Sequence, residues 1–121
     1  MSDEIEEYLN DIFSEHRVVL FMNGGVQAPT DAESMMARDI LGALKIDFHP
    51  VDVSRDPRLL AAVQQRSDWQ QVAQFFIDGQ FICDSYNLTP ALKSKQLDKI
   101  LTSKKVPFDE AVAQQFRDMN P

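Results

Sequence analysis

The run from Val18 to Met22, VVLFM, is apolar throughout and begins with two β-branched valines. A strand without a polar side must be covered on both faces, which is typical of sheets flanked by helices. We therefore expect this strand near the middle of a sheet in an α/β domain. An amphipathic helix is predicted before it, because apolar residues recur at helical spacing from Ile5 to Phe13.

A second helix is predicted after the glycine-rich loop that follows VVLFM. Thr30 and Glu33 fit a capping box, so the helix is expected to begin near Asp31. Its apolar positions, Met35 and Met36 among them, are assigned to the core, since methionine usually fills core gaps.

The next patterns predict a strand, a third helix and a hairpin. IDFHPVDV is a candidate strand, and Pro50 restricts it to a sheet edge. With VVLFM and the helix between them it would form a parallel βαβ unit. Asp56 followed by Pro57 predicts the third helix. In VAQFFIDGQFIC, two apolar segments are joined by Asp78-Gly79, which is a strong hairpin signal.

Two further helices are predicted near the C-terminus. Thr89 as a cap and Pro90 at the first helical position would begin the last core helix. TSKKVP would be a linker. Beyond it Phe108, Val112 and Phe116 repeat every three or four residues, which predicts a short amphipathic tail helix.

The order of these elements indicates the fold class. A helix, a βαβ unit and then ββα form an α/β, thioredoxin-like arrangement, with a four-stranded mixed sheet and helices on both faces. The 121 residues suffice for one domain with its own core. We assign the core to residues 3–102 and an extra helical tail to residues 103–121.

Charge and composition limit the classes of partner. The formal net charge is −7 at pH 7, which argues against nucleic acid or an anionic membrane, since both attract basic surfaces. The lysines between Lys93 and Lys105 are interpreted as a solvated helix face. The acidic N-terminal segment does not resemble a signal or transit peptide, and no apolar run is long enough to span a membrane.

Cys83 is the only cysteine in the chain. An intramolecular disulfide is therefore excluded, and with His16 and His49 it forms no recognisable metal-ligand spacing, so no metal site is expected. A chain with a single cysteine is more typical of a reducing, cytoplasmic location. A lone cysteine on an apolar strand is usually a small buried hydrophobe, and a reactive thiol is the alternative.

Five segments carry a family resemblance: HRVVLFMNGGVQAP, DILGALKIDFHPVDV, DPRLLAAVQQRSDW, QFFIDGQFI and LDKIL. Through them the chain resembles the monothiol glutaredoxins from residue 5 to about residue 101. The resemblance implies the glutaredoxin version of the thioredoxin-like fold.

The resemblance also implies where such a protein keeps its chemistry. The family's Cys-Gly-Phe-Ser motif falls on Asp31, Ala32, Glu33 and Ser34, so only the serine matches. The family's lysine falls on Asn23 and its cis-proline on Ala73. The implied glutathione site comprises Asn23, Asp31, Val72, Ala73, Asp84, Ser85 and Tyr86.

A carboxylate at the motif position changes the expected function. Asp31 cannot attack a disulfide, because exchange requires a thiolate. Asp31, Glu33 and Asp84 would repel the anionic glutathione, and the family's iron-sulfur cluster would lack its ligands, so no cofactor is expected. The sequence therefore favours a non-catalytic binding or regulatory module. The alternative is a residual redox or glutathione-linked protein that uses Cys83.

The vacated site is the predicted partner surface. We expect a protein partner, basic in character because of the acidic rim, in a groove formed by Gly24, Gly25, Val26, Trp69, Val72 and Tyr86. The alternative is that Tyr86 simply fills the groove. The tail helix is a competing surface that could pair two copies of the chain. With no substrate to pair there, a trans peptide is predicted between Val72 and Ala73.

Overall fold

A computed structural model describes residues 2–120 and places a four-stranded mixed sheet at the centre of the domain. The strand order is β4-β1-β5-β6. β1 pairs in parallel with β4 and antiparallel with β5, which pairs antiparallel with β6. The strands are β1 (Val18–Met22), β4 (His49–Asp52), β5 (Gln74–Ile77) and β6 (Gln80–Asp84). The predicted central position of VVLFM and the edge position of Pro50 are confirmed.

Helices cover both faces of this sheet. One face packs against α1 (Ser2–Glu15) and α3 (Pro57–Ser67), and a short hairpin of β2 (Gly24–Gly25) and β3 (Ala28–Pro29) follows β1. The other face is covered by α2 (Ala32–Ala43), α4 (Ser85–Lys93), α5 (Gln96–Ser103) and α6 (Glu110–Met119). The thioredoxin-like arrangement expected from the sequence is confirmed.

Strand β1 shows why its sequence has no polar face. Val19 and Phe21 point into the core under α1 and α3, while Leu20 and Met22 point into the core under α2 and α4. All four side chains are completely buried. Because successive side chains point to opposite faces, a strand covered on both sides must be apolar at every position.

The Asp78-Gly79 turn joins β5 and β6 as predicted. Both residues have positive φ, 51° and 76°, as a two-residue type I′ turn requires. Arg17 holds the turn through two hydrogen bonds to the Asp78 carboxylate, at 2.8 and 3.0 Å. Farther along β6, a bulge leaves Ile82 without a partner in the register, so Ile82 and Cys83 both pack toward the α4 side.

Helix α2 begins at the predicted place, but the capping box is wrong. Asp31 is the N-cap, in extended conformation, and its side chain accepts from the backbone N–H of Ser34 at 2.8 Å. The core assignment of Met35 and Met36 is also wrong, because they are 44% and 37% exposed. The buried positions of α2 are Ser34, Ala37 and Leu41, whose helical spacing turns the methionines toward solvent.

The Thr89-Pro90 start predicted for the last core helix is wrong. The helix begins at Ser85, because the Asp84 side chain accepts from the Asn87 N–H at 3.0 Å and caps it earlier. Pro90 lies inside α4. Lys95 then adopts a left-handed conformation and separates α4 from α5.

The predicted tail helix is confirmed as α6, capped by Asp109. Ala113 is fully buried, and Phe108, Val112 and Phe116 pack partly buried against the main core. The apolar side of the tail is thus covered by its own domain. Across residues 2–120, no helix combines the length and apolar character needed to cross a membrane.

Candidate functional site

Asp31 lies where β1 leads into α2, and each of its two carboxylate oxygens accepts a hydrogen bond from a nearby residue. One oxygen accepts from the Ser34 N–H at 2.8 Å, and the other accepts from Asn23 Nδ2 at 2.7 Å. The Asn23 N–H in turn donates to Ser34 Oγ at 2.9 Å. Burial alone would raise the pKa of Asp31, but the hydrogen bonds from Ser34 and Asn23 outweigh burial and lower the pKa. The Asp31 carboxylate is therefore ionised at neutral pH.

Tyr86, at the start of α4, reaches across to the first turn of α2. Its hydroxyl donates to Glu33 Oε1 at 2.7 Å. Donation to a carboxylate, together with the charges of Glu33, Asp84 and Asp31, raises the pKa of the phenol above its ordinary value. The side chain of Tyr86 is 52% exposed, so the ring lies on the surface and does not fill a groove.

Asp84 is the most buried acidic residue of the site, with 1% of its surface exposed. One oxygen accepts from the indole Nε1–H of Trp69 at 2.8 Å, and the other accepts from the Asn87 backbone and side chain. Trp69 itself stays 42% exposed. The buried carboxylate therefore fixes an indole ring that is still available at the surface.

The peptide between Val72 and Ala73 is cis, so the predicted trans bond is wrong. The prediction assumed that only a bound substrate would hold this loop. In the structure the loop is held internally, because the Gln74 amide donates to the carbonyls of Trp69 and Gln71 at 2.9 and 3.0 Å. The Ala73 carbonyl is also occupied, since it accepts from the Ser85 N–H at 3.0 Å.

The residues of the predicted partner groove do not share one concave surface, and Val72 and Tyr86 line neither of the two surfaces described next. Gly24, Gly25 and Val26 line a hollow of about 580 Å³ that also includes Asp52 and Arg55. Trp69 instead lines a groove of about 530 Å³ along β6. Gly24 has φ of +82°, and a Cβ there would lie 2.6 Å from the Ala28 carbonyl oxygen. The tight β2–β3 hairpin therefore requires glycine at this position.

Cys83 lies on β6, apart from the start of α2, and its side chain packs partly buried against the core. Burial, with a smaller contribution from the charge of Asp84, raises the pKa of the thiol to about 12. A thiol with this pKa is protonated at neutral pH. These surroundings match the interpretation of Cys83 as a small hydrophobe better than the reactive-thiol alternative.

His16 and His49 form a contact that the sequence did not predict. Their rings stack with centroids 3.7 Å apart and planes 4° apart, beside a hollow of about 460 Å³ at the α1 end of the sheet. Burial and the neighbouring His16 lower the pKa of His49. Within the described residues, no group of three or more metal-ligating side chains could hold a metal ion.

Two side-chain hydrogen bonds within the site were not predicted from the sequence. The Tyr86–Glu33 bond joins residues 53 positions apart, and the Trp69–Asp84 bond joins residues 15 positions apart. Neither pairing has a local signature, because each depends on how the β5–β6 hairpin and α4 pack beside α2. The exposed tryptophan and tyrosine were nevertheless identified as candidates from their positions in the resemblance.

Comparisons with known proteins show which proteins this sequence is similar to. The family model for glutaredoxin matches residues 18–82. Rice (Oryza sativa subsp. japonica) monothiol glutaredoxin-S7, chloroplastic, is 30% identical over 101 residues, which are 84% of this chain and 60% of that protein. Arabidopsis thaliana monothiol glutaredoxin-S17 is 24% identical over 97% of this chain, which spans only 24% of that protein.

A solved structure is similar along most of its length. The solution structure of a monomeric truncated mutant of Trypanosoma brucei 1-C-Grx1 has 31% sequence identity to this chain and a TM-score of 0.74. The match covers 86% of this chain and 94% of the trypanosomal one. The chain thus spans most of that structure but less than two thirds of the rice and Arabidopsis proteins.

Proposed function

Because this chain belongs to the glutaredoxin family, we propose that it is a member without thiol–disulfide exchange activity that acts as a binding or regulatory module. The main observation behind this proposal is that an aspartate, Asp31, occupies the start of α2. The start of α2 holds a carboxylate whose two oxygens accept hydrogen bonds from Ser34 and Asn23. An anion at a helix N-terminus is stabilising there, but it has no nucleophilic sulfur.

The position of the only cysteine supports the same proposal. The resemblance implies a nucleophile at residue 31, whereas Cys83 is on β6 with its pKa raised to about 12. Exchange requires a thiolate that can reach a disulfide sulfur. A residual redox role for Cys83 would need that thiolate to form in partly buried surroundings, and we therefore rank it second.

The charge around the site also disfavours glutathione, the ligand that the resemblance implies. Asp31, Glu33 and Asp84 surround the start of α2 and α4, and none has a cationic partner within ion-pair distance in the described part of the chain. A tripeptide with net negative charge would approach three carboxylates without a compensating lysine, since residue 23 is asparagine.

We further propose that the exposed apolar side chains around this acidic centre bind a protein. Tyr86 is half exposed, and Met36 lies one helical turn beyond Glu33, the residue to which Tyr86 bonds. Large exposed apolar side chains next to charged groups are typical anchors and rim of an interface. The acidic rim favours a partner with a basic surface.

The catalytic half of the proposal is tested by titrating the protein with reduced glutathione in a calorimeter and by assaying glutathione-dependent reduction of a mixed disulfide. We expect neither saturable binding at millimolar concentration nor turnover. Cys83→Ser is the matched control, because turnover that disappears in this variant would establish the redox alternative. Anaerobic incubation with iron and sulfide should also leave the protein colourless. A stoichiometric visible absorption band that survives gel filtration would contradict the proposal.

The binding half is tested with two double variants of identical composition. Tyr86→Ala with Met36→Ala removes apolar surface beside Glu33, whereas Tyr8→Ala with Met119→Ala removes the same types of side chain elsewhere, where they are at least as exposed. Affinity capture from native extract should lose its partner only with the first variant. If only the control variant loses the partner, the interface lies on α1 or the tail. The competing proposal is that two copies of the chain pair through α6.

A further inference from the structure

Strand β6 is an outer strand whose free edge is apolar. It pairs with β5 on one side, and within residues 2–120 no backbone hydrogen bond joins residues 80–83 to any other element on the opposite side. Phe81, Ile82 and Cys83 are each partly exposed along it. Unpaired N–H and C=O groups beside apolar side chains form a template for an additional strand.

A groove of about 530 Å³ runs beside this edge. Trp69 and Phe81 lie on one side of it, with ring centroids 6.5 Å apart. Pro90 of α4 and Leu97 and Ile100 of α5 form the other side. An extended segment paired with β6 would therefore direct alternate side chains into an apolar groove.

The charge beside the groove is positive, although the chain as a whole is acidic. Five of the six lysines lie between Lys93 and Lys105. Lys93, Lys95 and Lys99 are exposed and flank the groove residues Ser94, Gln96 and Ile100. In the described part of the chain, these three lysines make no ion pair.

Among the residues that the structure describes, the acidic ones near β6 form no ion pair with these lysines. Asp98 is paired with Arg117, and Asp78 is paired with Arg17. Asp84 is buried beneath the Trp69 indole. The three unpaired lysine side chains therefore give the groove a positively charged rim, which favours a segment carrying carboxylates.

We propose that the β6 edge binds an extended acidic segment of a partner protein as a fifth strand, with its apolar side chains in the groove and its carboxylates facing Lys95 and Lys99. A second copy of this chain is a poorer occupant. Pairing two β6 edges would bring two identical sets of lysines together, and like charges across an interface are unfavourable. The proposal does not depend on the loss of thiol chemistry or on the surface around Tyr86.

The probe is a fluorescein-labelled seven-residue peptide that alternates valine with glutamate. A peptide that alternates valine with lysine is its control. We expect fluorescence anisotropy to rise only with the acidic peptide, and amide shifts of the uniformly ¹⁵N-labelled protein to change at residues 80–84 and 96–100. Slowed hydrogen exchange of β6 amides in the complex would report strand pairing directly.

Charge-reversed variants separate the lysine rim from general electrostatics. Lys95→Glu with Lys99→Glu should weaken binding at least about tenfold. Lys45→Glu with Lys105→Glu changes the net charge equally, at two exposed lysines that do not line the groove, and should leave the dissociation constant within about twofold. Absence of binding at millimolar peptide, equal weakening by both variants, or shifts confined to residues outside β6 and α5 would overturn the proposal. Concentration-dependent dimerisation through β6 in sedimentation experiments would also overturn it, by assigning the edge to a second copy.

Discussion

The hydroxyl of Tyr86 donates a hydrogen bond to Glu33 Oε1 at 2.7 Å and so joins the first turn of α4 to the first turn of α2. Asp31 and Asp84, the N-caps of the same two helices, lie close enough for their charges to act on the phenol. Three carboxylates and one phenol thus meet where two helices begin. Helix N-termini favour negative charge, which explains how the fold accommodates such a cluster.

This arrangement predicts a late ionisation of Tyr86. The hydrogen bond to Glu33 and the charge of that carboxylate both raise the pKa of the phenol above 10.0. In Glu33→Gln the negative charge is removed, whereas the amide oxygen can still accept from the hydroxyl, so the pKa should fall part of the way toward the ordinary value of tyrosine. NMR titration of the tyrosine ring carbons, with Tyr86→Phe to assign the signal, measures the shift. An unchanged pKa in Glu33→Gln would show that the Glu33 charge does not act on the phenol in solution.

Asp31 is expected to contribute to stability as a helix cap. Asp31→Ala should lower the free energy of unfolding by about 1 kcal/mol, whereas Asp31→Asn, which still accepts from Ser34, should cost less. Urea unfolding at pH 7 measures both. If the two variants are equally destabilised, the lost charge matters more than the hydrogen bond.

The effect of Asp31 should depend on pH in a defined direction. Its pKa in the folded protein is lower than the ordinary value of 3.8. The unfolded state therefore binds the proton more tightly, so the stabilisation is complete above the unfolded pKa and disappears as pH falls through the folded pKa. The stability difference between Asp31→Ala and the unmodified protein should narrow below about pH 4. A constant difference from pH 7 to pH 3 would contradict this assignment.

Features set by short segments could be predicted from the sequence. VVLFM specifies a strand covered on both faces, Asp78-Gly79 specifies its turn, and Pro50 can be tolerated only at an edge. Each of these signals depends on the backbone or on burial within a few residues. The helical periodicity of the tail was likewise sufficient to predict α6, because this helix packs one apolar side onto the core.

Features set by competing or distant contacts could not be predicted. Asp84 and Thr89 are both acceptable caps, and only the folded structure shows that Asp84 reaches the Asn87 N–H. Met35 and Met36 are of a residue type that is usually buried, but α2 packs on the core with Ser34 and Ala37 inward instead. The charge of the site was predictable from residue types, whereas the hydrogen bonds that hold its side chains in place were not.

The tail should be coupled to the core through Arg117 and Asp98. These side chains are 12% and 19% exposed, form paired hydrogen bonds at 3.1 Å, and Arg117 also donates to the Leu92 carbonyl at 3.0 Å. Arg117→Ala should cost about 2 kcal/mol of unfolding free energy, because it leaves a mostly buried carboxylate and a carbonyl unpaired. In a double-mutant cycle with Asp98→Asn, the combined loss should be smaller than the sum of the single losses. Strict additivity would show that the pair makes no net contribution.

Cys83 should react slowly with alkylating reagents as long as the protein is folded. Burial and the charge of Asp84 raise the pKa of the thiol from 9.0 to about 12. At pH 8 the thiolate population should therefore be about a thousandfold smaller than that of an ordinary thiol. Iodoacetamide labelling followed by mass spectrometry measures the rate, and guanidinium-unfolded protein provides the fast reference. Because the thiol also lines the β6 groove, the acidic peptide should slow native labelling further. Labelling of the folded protein as fast as of the unfolded chain would instead favour the redox alternative.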